Sequence, residues 1–105
     1  MAVHKTVAEN WAFTITVLAA DPCRVGLEPG DAFHCTYDCP AGFCPKTMAV
    51  LHSLCEAVRA GGDLRLLGGH AANEIDFSCA DGVVRFRLTA THLDEPTQTP
   101  PVKPA

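Results

Sequence analysis

The sequence predicts an α+β domain in which one helix packs on a small, mainly antiparallel sheet, in the order β-β-α-β-β. Two kinds of observation predict this class. Apolar and polar residues alternate in four short stretches, and in one longer stretch apolar residues recur at spacings of three and four. Glycine or proline stands at the junctions between these stretches. The chain has 105 residues, enough for one modest core, so 1–93 are predicted to form a single domain.

The first half of the chain contains two predicted strands. Phe13, Ile15 and Val17 alternate with polar or small residues, which places these three side chains on the buried face of a strand. The stretch 24–31 contains two glycines and a proline and is typical of a turn region. The shorter alternating stretch that follows, 32–37, is predicted as the second strand.

The helix is predicted over about residues 45–60. Proline favours the first helical position, so Pro45 makes Cys44 the N-cap residue, and the glycine pair at 61–62 ends the helix. Cys55 lies among the apolar residues and is predicted to be a small buried hydrophobe. The apolar stripe that would pack on the sheet consists of Met48, Leu51, Leu54, Cys55 and Val58.

Two further strands are predicted to form a hairpin. Residues 74–79 alternate in polarity, and Asp81-Gly82 is a pair that strongly favours a hairpin turn. The return strand follows over 84–88, where the alternation continues. The end of the chain, 94–105, is rich in proline and polar residues and is predicted to be disordered.

Composition and charge limit the partners that we expect. The net charge is −4 and the eight Lys and Arg residues are scattered, so we expect no nucleic-acid partner. No apolar run reaches the roughly 18 to 20 residues of a membrane span. The alternation within 11–20 is that of a strand rather than of a signal peptide, so we expect a cytoplasmic protein without membrane attachment.

Common catalytic and nucleotide-binding motifs give no support for an established enzyme class. The sequence has no G-x-G-x-x-G after a strand, no P-loop, no G-x-S-x-G and no H-E-x-x-H. We therefore expect no nucleotide cofactor. The predicted sheet has two open edges, which leaves a homo-oligomer open.

Six cysteines are the most distinctive feature of the composition. In a reducing compartment they indicate metal binding, catalysis or packing rather than disulfides. Cys44 would lie at the positive end of the helix, which favours a thiolate. Cys23 follows the first strand and Cys79 ends the third, so all three thiols are expected at one end of the sheet. Packed thiolates repel one another, and a soft metal or an iron-sulfur cluster would neutralise them.

Four more residues are candidates for the surroundings of this site. Cys39 or His34 would complete the metal ligands, while Asp31 and Asp81 would lie just outside them and contact the thiols. Each aspartate also follows or precedes a glycine and fits a plain turn. The separation between Cys39 and Cys44 in addition permits a disulfide if the loop bends suitably.

Three functions remain open at this point. The first is a metal-binding protein that holds zinc, copper or an iron-sulfur cluster through Cys23, Cys44 and Cys79. The second is a metal-independent biosynthetic or redox enzyme that acts on a small molecule, with Cys44 as a low-pKa nucleophile or acid-base group. The third is a non-enzymatic interaction domain whose cysteines only pack. Convergence of the three sulfur atoms would favour the first function.

The chain also resembles an uncharacterised bacterial and archaeal family of small single-domain proteins over residues 13–89. In that family the middle motif reads Pro-x-Gly-Met-Cys and the last reads Cys-Pro-Asp, so Phe43 and Ala80 are departures that leave the thiols in place. The resemblance implies that this part of the chain forms one coherent fold, but it implies no particular activity. It rests on Cys23 with Gly26, Gly30-Asp31-x-Phe33, Pro40-Ala-Gly42-Phe43-Cys44, the Gly61-Gly62 helix end, and Cys79-Ala-Asp81 with Val84-x-Phe86.

The resemblance also divides the six cysteines into two groups. It implies that Cys23, Cys44 and Cys79 are the cysteines of the family pattern. It offers no counterpart for the other three, which would either pack or be peculiar to this chain: Cys35, Cys39 and Cys55.

Overall fold

Four strands and one α-helix form the described part of the chain. The structure is a computed structural model that describes residues 8–98, with side chains over 9–93. Along the chain, the helix α1 follows the second strand and precedes the third, and the four strands form one antiparallel sheet. The class is therefore α+β. The elements are β1 (Ala8–Ala20), β2 (Ala32–Cys35), α1 (Met48–Arg59), β3 (Glu74–Ser78) and β4 (Val84–Gln98).

The two long strands occupy the centre of the sheet, whose order is β2-β1-β4-β3. Every neighbouring pair is antiparallel, and Ile15 of β1 lies opposite Phe33 of β2 and Leu88 of β4. The exposed fractions of Phe13, Ile15 and Val17 are 1%, 0% and 2%. The predicted inward face of the first strand is therefore confirmed.

The helix begins with a tighter turn than the sequence predicted. Cys44 is the N-cap and Pro45 the first helical residue, as expected, but Pro45–Thr47 is a 3-10 helix that leads into α1. Such turns are frequent at the start of α-helices. A second 3-10 helix, Leu64–Leu67, follows α1 and was also absent from the predicted order. The helix residues buried against the inner face of the sheet are Leu51, Leu54, Cys55 and Val58.

The last strand is longer than predicted, because its partner β1 is also longer. Beyond an irregularity between Glu9 and Trp11, pairing resumes with Glu9 opposite Thr97 and continues to Ala8 opposite Gln98. Residues 94–98 of the segment predicted to be disordered therefore belong to β4. The rest of that segment, 99–105, lies outside the described residues.

Arg59, the last residue of α1, fixes the helix to the sheet. Its Nε donates to a carboxylate oxygen of Glu9 at 3.2 Å, its Nη1 donates to Glu56 at 2.6 Å, and its Nη2 donates to the carbonyl oxygen of Thr36. The guanidinium carbon also lies 4.9 Å from the ring centre of Phe13. No helix within residues 8–98 is both long and apolar enough to cross a membrane.

Candidate functional site

Three thiols line one small cavity at the end of the sheet, and we call this space the three-thiol cavity. Cys23 comes from the loop after β1, Cys44 from the helix start, and Cys79 from the residue after β3. The cavity has a volume of about 10 Å³, roughly that of one water-sized sphere. Its remaining walls are mainly apolar and include Val25, Leu27, Val83, Val84 and Phe86.

Backbone N–H groups surround the sulfur of Cys79. The Gly82 N–H donates to the Cys79 carbonyl at 2.9 Å, and the Val84 N–H donates to its Sγ at 3.3 Å. Gly82 has a φ of +75°, which glycine adopts without strain. Burial raises the pKa of the Cys79 thiol, but the N–H groups of Val84, Val83, Asp81 and Gly82 outweigh burial and lower that pKa below its ordinary value.

Cys23 lies in a turn of the same form. The Gly26 N–H donates to the Cys23 carbonyl at 3.2 Å, and the Leu27 N–H donates to the Cys23 Sγ at 3.3 Å. Gly26 has a φ of +69°, so this turn also needs glycine at its fourth position. The Cys23 sulfur is therefore held beside a backbone N–H donor, as the Cys79 sulfur is.

The shared pattern of these two turns was missed in the sequence, although both read Cys-x-x-Gly. The pattern occurs at 23–26, 39–42 and 79–82. At 23–26 and at 79–82, a backbone N–H after the glycine reaches the sulfur. A comparison of the residues that follow each cysteine finds the pattern, but it also selects Cys39, so the pattern alone does not identify the thiols of the cavity.

The third thiol, Cys44, is held differently. Its carbonyl accepts a hydrogen bond from the Thr47 N–H at 3.0 Å, but its side chain makes no capping hydrogen bond to the helix. The thiol is half-buried. A cysteine side chain has a single rotatable bond before its sulfur, so Cys44 can swing its thiol without moving the backbone.

Two cations and one carboxylate lie around the three-thiol cavity. Asp81 and Arg24 line the cavity, and Lys46 donates to Asp81 at 2.6 Å. Arg24 Nε lies 3.9 Å from the other oxygen of Asp81. The hydrogen bond from Lys46 holds the pKa of Asp81 below its ordinary value. The carboxylate of Asp81 is therefore shared by two exposed cations beside the cavity.

The three thiols share a cavity, but they do not form a ready-made ligand set. Within residues 8–98, no group of three or more His, Cys, Asp or Glu side chains is arranged so that it could hold a metal ion. Formation of a three-sulfur site therefore requires a side-chain movement. Cys44 is the natural residue to move, because the sulfur atoms of Cys23 and Cys79 each accept a backbone hydrogen bond.

The other three cysteines line a separate cavity of about 190 Å³, together with Arg59 and neighbouring residues. Burial raises the pKa of Cys35 to about 11 and that of Cys55 to about 12. Cys55 is 4% exposed and packs in the core, as predicted. Cys39 is exposed and lies at this second cavity, not beside the three thiols.

His34 and Asp31 also lie away from the three-thiol cavity. His34 Nδ1 is 3.3 Å from Thr14 Oγ1. Strand alternation places His34 and Thr14 on the face of the sheet opposite to the buried Phe13 and Ile15. The carboxylate of Asp31 accepts a hydrogen bond from the Glu28 N–H at 2.8 Å, which is the turn role. Of the four additional candidates, the structure brings only Asp81 to the three thiols.

Comparisons with known proteins assign no relatives to this arrangement. No family model matches the chain, and neither a curated protein nor a solved structure matches it.

Proposed function

We propose that this chain is a small metal-binding protein that holds a soft metal ion through the thiolates of Cys23, Cys44 and Cys79. The observation that carries the proposal is the pair of Cys-x-x-Gly turns, each of which directs a backbone N–H at a sulfur atom. These two sulfurs line one cavity with a third thiol. Thiolates are the ligands that soft metals prefer.

The other cysteines of the chain argue against packing as the purpose of this group. Cys35 and Cys55 are packing thiols, and burial raises the pKa of each. Cys79 differs, because backbone donors lower its pKa despite burial. A thiol that only fills space gains nothing from a stabilised negative charge, whereas a metal ligand must lose its proton.

The size of the cavity favours an ion over an organic substrate. A volume of about 10 Å³ accommodates roughly one small sphere. An enzyme that used Cys44 as a nucleophile would need room for a substrate beside that sulfur. The larger cavity of about 190 Å³ is lined by Cys35, Cys39 and Cys55 instead.

Metal binding would proceed with loss of the thiol protons and a rotation of Cys44. The turns at Cys23 and Cys79 already hold their sulfurs beside N–H donors, which would continue to offset negative charge after the metal binds. A reducing cytoplasmic location, which we propose, would keep the three thiols available for binding.

The proposal is tested by metal analysis of protein purified without air, followed by reconstitution with zinc, copper(I) or iron and sulfide. The variants are Cys23→Ser, Cys44→Ser and Cys79→Ser. Cys39→Ser is the matched control, because Cys39 is exposed and lies outside the three-thiol cavity. We expect the wild type and the control to bind stoichiometric metal, and each of the three variants to bind at least about tenfold more weakly.

Two results would contradict the proposal. One is a wild-type protein that binds none of these metals stoichiometrically under reducing conditions. The other is an equal loss of affinity in Cys39→Ser and Cys44→Ser, because that would place the metal outside the three-thiol cavity.

A further inference from the structure

We infer that Cys44 and Cys79 form a dithiol pair that hydrogen peroxide oxidises to a reversible disulfide. The pair does not require a metal, so this chemistry goes beyond the proposed function. Three features support it: the contacts that join the two segments that carry these cysteines, the freedom of one side chain to rotate, and the partial exposure of both thiols.

An ion pair joins the segments that carry the two thiols. Lys46 Nζ donates to Asp81 Oδ1 at 2.6 Å. Each of these residues lies two positions after one of the cysteines, Lys46 after Cys44 and Asp81 after Cys79. The ion pair therefore connects the start of the helix to the turn that follows β3, where both thiols line the same cavity.

Three aromatic rings join the same segments in the core. The ring of Phe43, the residue before Cys44, has its centre 5.2 Å from that of Phe86. The ring of Phe77, two residues before Cys79, has its centre 5.1 Å from that of Phe86. All three phenylalanines are buried, and such aromatic contacts stabilise the packing beyond their buried area. Buried rings as well as a surface ion pair therefore hold the two segments together.

The side chain of Cys44 is free to rotate. It makes no capping hydrogen bond to the helix, and rotation about the bond before its sulfur moves the thiol while the backbone stays in place. The sulfurs of Cys23 and Cys79 each accept a hydrogen bond from a backbone N–H. Of these two, Cys79 belongs to the segment that both the ion pair and the rings join to Cys44. Cys79 is therefore the partner of Cys44.

Exposure separates this pair from the other cysteines. Cys44 and Cys79 are half-buried and line a cavity that is open to solvent, so a small oxidant can reach both sulfurs. Cys35 and Cys55 are buried. Cys39 is exposed but lines the other cavity, so it does not share a space with Cys44.

The reaction has two balanced steps. In the first, one sulfur attacks an oxygen atom of hydrogen peroxide: an S–O bond forms, the O–O bond breaks, and the departing hydroxide takes up the thiol proton to give water. The sulfur becomes a sulfenic acid and gives two electrons to the peroxide. In the second, the other sulfur attacks the sulfenic acid: an S–S bond forms, the S–O bond breaks, and a second water leaves. A dithiol reductant reverses the disulfide by exchange.

The test treats the metal-free full-length protein with one equivalent of hydrogen peroxide at neutral pH, after removal of chelator and reductant. The remaining thiols are blocked with N-ethylmaleimide, and peptide mass spectrometry locates the disulfide. Chymotrypsin, used with trypsin, cuts after Tyr37 and Phe43 and so separates Cys44 from its neighbouring cysteines. We expect one disulfide per chain, between Cys44 and Cys79, and full recovery of the thiols with dithiothreitol.

Variants make the test specific. Cys44→Ser and Cys79→Ser should each lose the disulfide. In the variant that keeps the attacking sulfur, dimedone should label the remaining cysteine of the pair, because its sulfenic acid no longer has a partner. Cys39→Ser is the matched control, since Cys39 is more exposed but lies at the other cavity. It should form the same disulfide as the wild type.

The possible failures are distinguishable. A wild-type disulfide between Cys23 and Cys79, or between Cys35 and Cys39, would overturn the assignment of the pair. Loss of thiols without any disulfide, or absence of the dimedone label from both variants of the pair, would also overturn it. Metal binding is measured separately under reducing conditions. A protein that binds no metal but forms the disulfide between Cys44 and Cys79 would overturn the proposed function alone.

Discussion

The thiols of this chain differ in the groups that surround each sulfur. Cys79 accepts hydrogen bonds from backbone N–H groups, which lower its pKa although burial raises it. Cys35 and Cys55 lie in the core, where burial disfavours the thiolate. The same side chain therefore has opposite acid-base behaviour at different positions of one small domain.

This difference predicts separate pH profiles for alkylation of the metal-free protein. The rate of reaction with iodoacetamide follows the thiolate fraction. The ordinary pKa of a cysteine thiol is 9.0, and the rate for Cys79 should reach half its maximum below that pH. Cys35 and Cys55 should reach theirs near about 11 and about 12. Peptide mapping by mass spectrometry at a series of pH values measures each site.

The midpoint of each profile is compared rather than the rate, because exposure changes the rate without moving the midpoint. A midpoint for Cys79 at or above that of Cys35 would show that the backbone donors do not stabilise its thiolate.

At the scale of single elements, the start of the helix contains an unsatisfied polar atom. Thr47 ends the 3-10 turn that leads into α1 and is 0% exposed. Its Oγ1 has no hydrogen-bond partner among the described residues. A buried hydroxyl without a partner destabilises the folded state.

Thr47→Val should therefore raise the free energy of unfolding by about 1 kcal/mol, because valine has the same shape without the hydroxyl. Thr47→Ser is the matched control: it keeps the hydroxyl, removes a buried methyl group and should lower that free energy by about 1 kcal/mol. Urea unfolding of the three proteins measures both changes. A valine variant less stable than the wild type would indicate that the hydroxyl has a partner in solution.

The pairing of β3 with β4 is reinforced by an ion pair on the exposed face of the sheet. Arg87 Nε donates to Asp76 at 2.8 Å, and His70 Nε2 lies 2.9 Å from the other carboxylate oxygen. The side chain of Asp76 is 11% exposed. The hydrogen bond from Arg87 lowers the pKa of Asp76, whereas burial raises it. The hydrogen bond from His70 lowers it further, and the resulting pKa of Asp76 is about 2.

Because the folded-state pKa of Asp76 lies below its unfolded value of 3.8, its contribution to stability is present above about pH 4 and is lost as the pH falls towards about 2. Asp76→Asn should remove this contribution, so the loss of stability between these pH values should be smaller than in the wild type. We expect a difference of about 1 kcal/mol, allowing for screening by solvent. Urea unfolding at a series of pH values measures it, and equal slopes in both proteins would contradict it.

Arg59 joins the helix to the sheet through contacts that are distant in the chain. It contacts Glu9 on β1 and Thr36 after β2, and these residues are 50 and 23 positions away in the chain. The side chains of Arg59 and Glu9 are only 17% and 9% exposed. Removal of one partner would leave the other charge buried and unpaired.

Arg59→Ala should therefore lower the free energy of unfolding by about 3 kcal/mol. Arg65→Ala is the control, because Arg65 pairs with Asp63 but its side chain is 64% exposed, and its loss should change stability little. Chemical unfolding of both variants measures the contrast. Equal losses would show that burial of the Glu9 pair does not matter.

Much of the local structure was predictable from the sequence. Alternation at Phe13, Ile15 and Val17 identified the inward face of β1, and Pro45 identified the N-cap position of Cys44. These features depend on residues that are close in the chain, because strand alternation, helix capping and tight turns are local. The length of β4 was not predictable, because it depends on pairing with the distant Ala8. The family resemblance stays a prediction.

The positions of Cys23, Cys44 and Cys79 at the ends of their elements follow from local sequence patterns. The groups that surround these thiols depend on the folded chain, which brings Asp81 beside them and keeps Cys39 and His34 elsewhere. The physical reason is that a site built from Cys23, Cys44 and Cys79 joins three separate parts of the chain. Their approach depends on the order of strands in the sheet and on the position of the helix, and no local pattern encodes either.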